Sequence, residues 1–264
     1  MSELRDKVLL LTGASGMAAA TAKLAAAAGA RVFVVSLVAE QCAELAERLR
    51  ARSGECEWRQ ADVSDTAQVD SAVADCVKRW GRIDAVFNVA GISGRSLGDG
   101  PVHECSDGGW DQTMRSNARS VFVVCRAVLR QMLAQAAGDD GMRGAILNMS
   151  SVLANSPQRD HFATHAYAAS KAAIIGLSNS MAAYYAPHQI RVNVIAPALV
   201  RTQMSRRAQE NADILRLMRT KQPLAQDLLE ADDVARVAVF LLGPSSRMMT
   251  GTVVTVDGGW SVSG

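Results

Sequence analysis

Short apolar runs rich in β-branched residues alternate with longer segments of helical periodicity, and this alternation constrains the fold more than any other feature of the chain. The predicted strands span residues 8–11, 32–35, 83–89, 145–149, 190–195 and 253–256. The predicted helices span residues 17–28, 39–51, 66–80, 117–136, 165–185 and 231–242. Such alternation predicts parallel strands joined by right-handed crossovers, with helices on both faces of the sheet. We therefore expect an α/β fold of the Rossmann type, a doubly wound parallel sheet in three layers.

The domain organisation follows from the continuity of this pattern. The 264 residues contain no internal repeat and no linker rich in proline and serine, so we expect one domain over residues 1–264. Residues 198–226 interrupt the pattern with a polar, basic and helix-prone segment. Such a segment over the carboxyl edge of a doubly wound sheet predicts a substrate lid.

Composition and charge limit the classes of partner. The formal net charge is +2 and 49% of the residues are hydrophobic, which favours a globular core and gives no electrostatic reason to expect nucleic acid or an anionic membrane. No apolar run approaches the roughly 18 residues of a spanning helix. The first ten residues lack the layout of a signal peptide, so we expect a soluble, cytoplasmic protein.

Cysteine and histidine spacing argues against a metal site. The five cysteines and four histidines form no cluster with the spacing of metal ligands, and no metal is expected. Reduced, mostly buried thiols are the expected state of Cys42, Cys56, Cys76, Cys105 and Cys125.

A glycine-containing turn joins the first predicted strand to the first helix. Its sequence is Thr12-Gly13-Ala14-Ser15-Gly16-Met17-Ala18. Glycines at such a turn let the backbone approach a pyrophosphate, which then lies against free N–H groups at the helix N-terminus. The turn predicts a dinucleotide site with contacts from Gly13, Ser15, Gly16 and Met17.

A second group of polar residues is suited to proton transfer. Tyr167 and Lys171 are four residues apart in a predicted helix and share one face. A nearby ammonium supplies about the 4 kcal/mol needed to lower the pKa of a tyrosine from about 10 to near 7. Asn148-Met149-Ser150-Ser151 ends the preceding strand, where its hydroxyls would face the same crevice. A serine that polarises a carbonyl beside a tyrosine acid/base is a workable site for hydride transfer.

These residues together resemble the single-domain branch of the short-chain dehydrogenase/reductase family, from Lys7 to Gly259. The resemblance also rests on Asp62-Val63, on Asn88-Val89-Ala90-Gly91, on Asn117, on the segment RVNVIAP from Arg191 and on the segment TGTVVTVDGG from Thr250. It implies NAD(P) as cofactor and a homotetramer packed through the helices at 117–136 and 165–186.

The resemblance implies a role for each matched residue. Tyr167 would be the acid/base, and Lys171 would lower its pKa and hold the ribose hydroxyls. Ser151 would orient the substrate oxygen, and Asn117 would hold a water in the proton relay. The further cofactor contacts would be Asp62 and Val63 at the adenine, Asn88, Ala90 and Gly91 on the floor of the site, and Pro197, Val200 and Thr202 around the carboxamide. The expected substrate contacts are Ser151, Leu153, His161 and Tyr167.

Three positions depart from the family pattern. The glycine turn is one residue shorter than the usual TGxxxGxG, so that Ala18 stands at its last glycine. Val89 replaces a second asparagine, and Ala198 replaces the glycine that usually follows Pro197. The shortening shifts the geometry of the cofactor without excluding its binding.

The choice between NAD and NADP depends on Ser36, at the end of the second predicted strand. An acidic residue there would bind the ribose 2′-hydroxyl and repel a 2′-phosphate. No lysine or arginine lies in the glycine turn or at residues 37–39. We expect a slight preference for NAD, and a preference for NADP would require a cation from elsewhere, such as Arg59.

The resemblance implies an NAD(P)-dependent short-chain dehydrogenase that interconverts a secondary alcohol and a ketone on a small-molecule substrate. Two alternatives stay open: a reductase of carrier-bound 3-oxoacyl chains, and a dinucleotide-binding sensor or scaffold without catalysis. The basic residues of the expected lid form either a solvated face or a surface that attracts an acidic substrate or cofactor phosphates. They are Arg201, Arg206, Arg207, Arg216, Arg219 and Lys221.

Overall fold

The computed structural model describes residues 4–52 and 54–263, and its centre is one parallel sheet. The strands are β1 Val8–Thr12, β2 Arg31–Ser36, β3 Cys56–Gln60, β4 Ala85–Asn88, β5 Gly144–Met149, β6 Ile190–Pro197 and β7 Val253–Val256. Their order is β3-β2-β1-β4-β5-β6-β7, and every pair of neighbours is parallel. The order reverses at β1, and ligands bind at such a reversal beyond the carboxyl ends of the strands. The expected doubly wound Rossmann-type sheet is confirmed.

Helices cover both faces of this sheet. They are α1 Gly16–Ala27, α2 Ala39–Arg50, α3 Thr66–Trp80, α4 Asp107–Met114, α5 Ser120–Ala134, α6 Arg159–Phe162, α7 His165–Tyr185, α8 Arg206–Gln209, α9 Ala212–Lys221 and α10 Ala231–Leu242. One apolar cluster joins the sheet to α1, α2 and α10, and a second joins its other face to α3, α5 and α7. The protein is a single three-layer domain.

A third, smaller cluster holds the segment that we expected to be a lid. It contains Ile214 and Met218 of α9, Ala208 of α8, and the nearly fully buried Trp260 near the C-terminus. Residues 198–226 are therefore packed against the end of the chain and do not project freely into solvent.

Two differences from the predicted elements stand out. The strand β3 is missing from the predicted set because its sequence, CEWRQ, is polar and it pairs only with β2 at the sheet edge. The helix expected at 117–136 begins instead with a π-helical turn, Arg115–Arg119, which continues into α5. Such turns commonly occur at functional sites.

Candidate active site

Asn117 lies within the π-helical turn and is fully buried. Its Nδ2 donates to the carbonyl oxygen of Ile92 at 3.1 Å and to Oγ of Ser170 at 2.9 Å. Its Oδ1 accepts a hydrogen bond of 2.8 Å from the backbone N–H of Ile92. These bonds tie the chain after β4 to α7 and fix the orientation of the amide.

Tyr167 lies in the first turn of α7, and Ser151 lies two residues after the end of β5. Both side chains line the same cavity. Burial raises the pKa of Tyr167, and the hydrogen bond from Ser151 lowers it in part. The two hydroxyls expected to act on one substrate oxygen are thus next to each other.

Lys171 lies one turn further along α7 and is 4% exposed. Its Nζ donates to the carbonyl oxygen of Met149 at 3.0 Å and lies 5.5 Å from the centroid of the Tyr167 ring. Burial lowers the pKa of Lys171 to about 8. We expected Lys171 to bring the pKa of Tyr167 below its ordinary value, but the pKa of Tyr167 lies above it. Burial disfavours the charged form of both side chains, the phenolate of Tyr167 and the ammonium of Lys171.

Asp99 is a residue of this site that sequence reasoning missed. Its carboxylate is 5% exposed and accepts hydrogen bonds from the backbone N–H groups of Ala166 and Tyr167. Nothing in the local sequence marks it, because the helix it caps begins more than sixty residues later.

The glycine turn borders a cavity of about 300 Å³ at the reversal of the sheet. Gly13 and Gly16 both have positive φ, at 92° and 51°, and a Cβ added to Gly16 would lie 3.0 Å from Cγ2 of Thr202. Among the described residues, the Ser15 side chain makes no capping hydrogen bond to α1. The turn therefore offers close backbone approach and free N–H groups, and these residues fit a dinucleotide.

Most of the expected cofactor contacts line this cavity. They are Gly13, Ser15, Gly16, Met17, Ser36, Asp62, Val63, Ala90, Gly91 and Thr202. Ala18, at the position of the missing glycine, also lines it. Thr12 supports the far wall, because its Oγ1 accepts hydrogen bonds from the N–H groups of Val89 and Ala90 at 3.0 Å and 3.1 Å.

Three expected cofactor contacts are set back from the cavity wall. In the described part of the chain, neither this cavity nor its neighbour is lined by Asn88, Pro197 or Lys171. Nδ2 of Asn88 donates instead to Oδ1 of Asn148 at 2.8 Å, inside the core. Lys171 lies just behind the cavity floor, since a Cβ added to Gly91 would be 3.6 Å from its Nζ.

The part of the cavity near Ser36 carries no cation among the described lining residues. Arg59, the cation considered for a 2′-phosphate, forms an ion pair with Asp75 instead. The carboxylate of Asp62 accepts hydrogen bonds from Ser64 and Arg115. Partial burial by itself would raise the pKa of Asp62, but these hydrogen bonds lower it below its ordinary value.

A second cavity of about 380 Å³ adjoins the first. The two share Met17, Thr202 and Met204. Ser151 and Tyr167 line the second cavity, as does the expected substrate contact Leu153, and Val200 belongs to this cavity too. Much of the remaining wall is apolar and includes Val152, Phe162, Leu199, Ala208 and Trp260.

His161, an expected substrate contact, is not among the described residues that line the cavity. Its backbone carbonyl oxygen accepts hydrogen bonds from Arg95 and Arg207, which do line the cavity. Trp260 and Arg95 are further lining residues that sequence reasoning missed.

Comparison with known proteins decides the family. A family model described as Enoyl-(Acyl carrier protein) reductase matches residues 12–261. A D-threitol dehydrogenase of Mycolicibacterium smegmatis is 35% identical over 98% of this chain and 94% of its own length. The chain belongs to the short-chain dehydrogenase/reductase family.

Two further relatives of this dehydrogenase/reductase bear on function. A 3-oxoacyl-acyl-carrier-protein reductase of Thermotoga maritima is 33% identical over 97% of this chain and 98% of its own length. The solved structure of a gluconate 5-dehydrogenase from Burkholderia cenocepacia, in complex with NADP and tartrate, superposes with a TM-score of 0.90 at 28% identity, covering 100% of this chain and 98% of that one.

Other site types find little support in the described residues. No helix among them is long and apolar enough to cross a membrane. No group of three or more histidine, cysteine or acidic side chains in residues 4–52 and 54–263 is placed to hold a metal ion. All five cysteines are free and four are buried, with Cys105 half-buried.

Proposed function

We propose that this oxidoreductase uses NAD(P) to interconvert a secondary alcohol and a ketone. One observation carries the proposal: Ser151 and Tyr167 line one cavity, which shares three lining residues with the cavity beside the glycine turn. A bound nicotinamide dinucleotide would supply or accept the hydride at that junction.

The chain's own residues would hold the substrate oxygen and move its proton. Ser151 donates a hydrogen bond to the carbonyl oxygen and polarises it. Tyr167 gives its hydroxyl proton to that oxygen during reduction and accepts a proton from the alcohol during oxidation.

Lys171 and Asn117 would support the proton transfer. The ammonium of Lys171 stabilises the phenolate once Tyr167 has lost its proton, and it holds the ribose. Three hydrogen bonds fix the side chain of Asn117, and Asn117 holds a water of the proton relay. A Cβ at Gly91 would lie 2.7 Å from Oδ1 of Asn117, which indicates how closely this floor is packed.

NAD is the slightly preferred cofactor in this proposal, because no described residue that lines the cavity with Ser36 is a cation that could bind a 2′-phosphate. The related gluconate 5-dehydrogenase in complex with NADP is the reason that NADP is also retained. Polyols and sugar acids are suitable first substrates, given the threitol and gluconate dehydrogenases among the relatives. A cytoplasmic homotetramer packed through α5 and α7 completes the proposal.

A reductase of carrier-bound 3-oxoacyl chains is the second candidate, supported by the Thermotoga relative. Arg219 favours it, since Arg219 forms no ion pair with a described residue and an acidic carrier would pair with it.

The deciding experiment measures absorbance of the reduced nicotinamide at 340 nm while free secondary alcohols, free ketones and acyl-carrier thioesters are each supplied with NAD(H) and NADP(H). We expect turnover of free alcohols and ketones. Turnover of carrier-linked chains alone would favour the second candidate. Tight dinucleotide binding without any turnover would indicate a sensor or scaffold.

A further inference from the structure

Two arginines from different parts of the chain line the second cavity, the one that contains Ser151 and Tyr167. Arg95 lies in a single 3-10 turn, Arg95–Leu97, and Arg207 lies in α8. Each donates one Nη2 hydrogen bond to the carbonyl oxygen of His161, at 3.0 Å and 3.1 Å. The two guanidinium groups are therefore held side by side in the wall of the cavity that contains Ser151 and Tyr167.

The positive charge of this pair is not neutralised by an ion pair with any described acidic side chain. Neither Arg95 nor Arg207 forms an ion pair with any of them. Arg201, by contrast, is paired with both Asp227 and Glu230. Partial burial and the charge of Arg95 together lower the pKa of Arg207, which shows that the cations repel each other. An anion between them would relieve that repulsion.

The guanidinium groups also retain unused hydrogen-bond donors. A guanidinium has five N–H donors in a planar fork that matches a carboxylate. Each of these arginines uses one of them, toward the carbonyl oxygen of His161. The rest of the cavity wall is largely apolar, with Leu153, Phe162 and Trp260 available to a carbon chain.

We infer that the alcohol or ketone substrate also carries a carboxylate, and that Arg95 and Arg207 bind it. The inference rests on the proposed function, because it gives the substrate class for the same site. The substrates are then hydroxy acids and the corresponding oxo acids, with the carboxylate at the arginine pair and the reacting oxygen at Ser151 and Tyr167.

The test compares acids with their neutral analogues. The substrates are lactate, 3-hydroxybutyrate and 4-hydroxypentanoate, each paired with its methyl ester, in the presence of saturating dinucleotide. The variants are Arg95→Gln and Arg207→Gln. Arg206→Gln is the matched control, because Arg206 is adjacent to Arg207 and, like it, exposed to solvent, but is not among the described residues that line the cavity.

For the best acid, the ratio of kcat/KM for the acid to that for the ester should exceed one in the wild-type protein. It should fall by about 10- to 100-fold in each cavity variant, the effect of losing a hydrogen bond to a charged group. The Arg206→Gln protein should keep the wild-type ratio. An equal fall of this ratio in Arg206→Gln would mean that the net positive charge of the surface attracts the acid from a distance, and it would overturn the inference.

A binding measurement separates this inference from the proposed function. Octanoate and octanamide are titrated calorimetrically into the wild-type protein and the three variants, again with dinucleotide present. Octanoate should bind more tightly, and Arg207→Gln should abolish the difference, even if no alcohol is turned over. Equal binding of the amide, or stronger binding of pantetheine 4′-phosphate than of octanoate, would overturn the inference.

Discussion

Asp99 and Tyr167 are 68 residues apart in sequence, but an Oδ2 atom of Asp99 accepts a hydrogen bond of 2.8 Å from the backbone N–H of Tyr167. Oδ1 accepts a second one, of 3.0 Å, from Ala166. Thr164, the residue before α7, makes no side-chain capping bond within the described structure. Asp99 therefore caps the helix that carries the proposed acid/base.

Asp99→Ala should lower the free energy of unfolding by about 2 kcal/mol, the upper range for loss of a helix cap. It should also lower kcat, because the first turn of α7 holds Tyr167. Asp65→Ala is the matched control: Asp65 caps α3, a helix that does not carry Tyr167, by accepting from Gln68 at 2.9 Å. Urea unfolding and steady-state kinetics measure both effects, and an equal loss of stability with kcat unchanged in both variants would contradict a positioning role.

Lys171 should make stability depend on pH in a particular direction. Burial lowers its pKa from 10.5 to about 8, so between these values the unfolded chain binds more protons than the folded one. The free energy of unfolding of the wild-type protein should therefore rise relative to Lys171→Met as the pH increases from 8 to 10.5. Below pH 8 the difference should be constant.

Urea unfolding of both proteins across this pH range measures the difference, and a difference independent of pH would contradict the lowered pKa. Lys171→Met should also lose activity. If Lys171 stabilises the phenolate of Tyr167, the residual activity of the variant should require higher pH than the wild type does.

Gly91→Ala tests how tightly the floor of the site is packed. The added Cβ would lie 2.7 Å from Oδ1 of Asn117, so the amide must move. We expect kcat to fall by about 10-fold or more, because small displacements of positioning groups have large effects on rate. Gly100→Ala is the control, since a Cβ there meets no atom within 4 Å. Equal kinetics for the two variants would show that Asn117 tolerates displacement.

Ser36 should determine how strongly the protein distinguishes its cofactors. We expect NAD to be preferred by less than about 100-fold in kcat/KM, or under about 3 kcal/mol. Ser36→Asp should sharpen the preference by adding ribose hydrogen bonds and repelling a 2′-phosphate. Arg59→Gln should leave the ratio unchanged, because Arg59 is paired with Asp75. A wild-type preference for NADP would contradict this assignment.

The elements in the centre of the sheet could be predicted because parallel strands buried on both faces are continuous apolar runs. All five residues of β1 are buried, for example, and its sequence is VLLLT. The edge strand β3 could not be predicted in this way, since its sequence is largely polar and its exposed fraction increases toward Gln60.

The candidate site was predictable where its residues lie on regular elements. Tyr167 and Ser151 are placed by the start of α7 and the end of β5, and both line one cavity. Asp99 and Arg95 reach the site through tertiary contacts that leave no local pattern, whereas Arg207 is one of the basic residues that the sequence already offers to an acidic substrate. His161 contributes a backbone carbonyl oxygen, and no side-chain pattern can show which way a carbonyl points.

Tyr167→Phe tests the central claim most directly, because it keeps the ring and removes the hydroxyl. Tyr184→Phe is the matched control, at a tyrosine that is 69% exposed. The measurement is kcat at 340 nm for both variants, with dinucleotide affinity determined in parallel. We predict that kcat falls at least about 100-fold in Tyr167→Phe while dinucleotide affinity is kept, as expected for loss of a general acid/base. A kcat near that of the wild type would contradict the claim that Tyr167 transfers the proton.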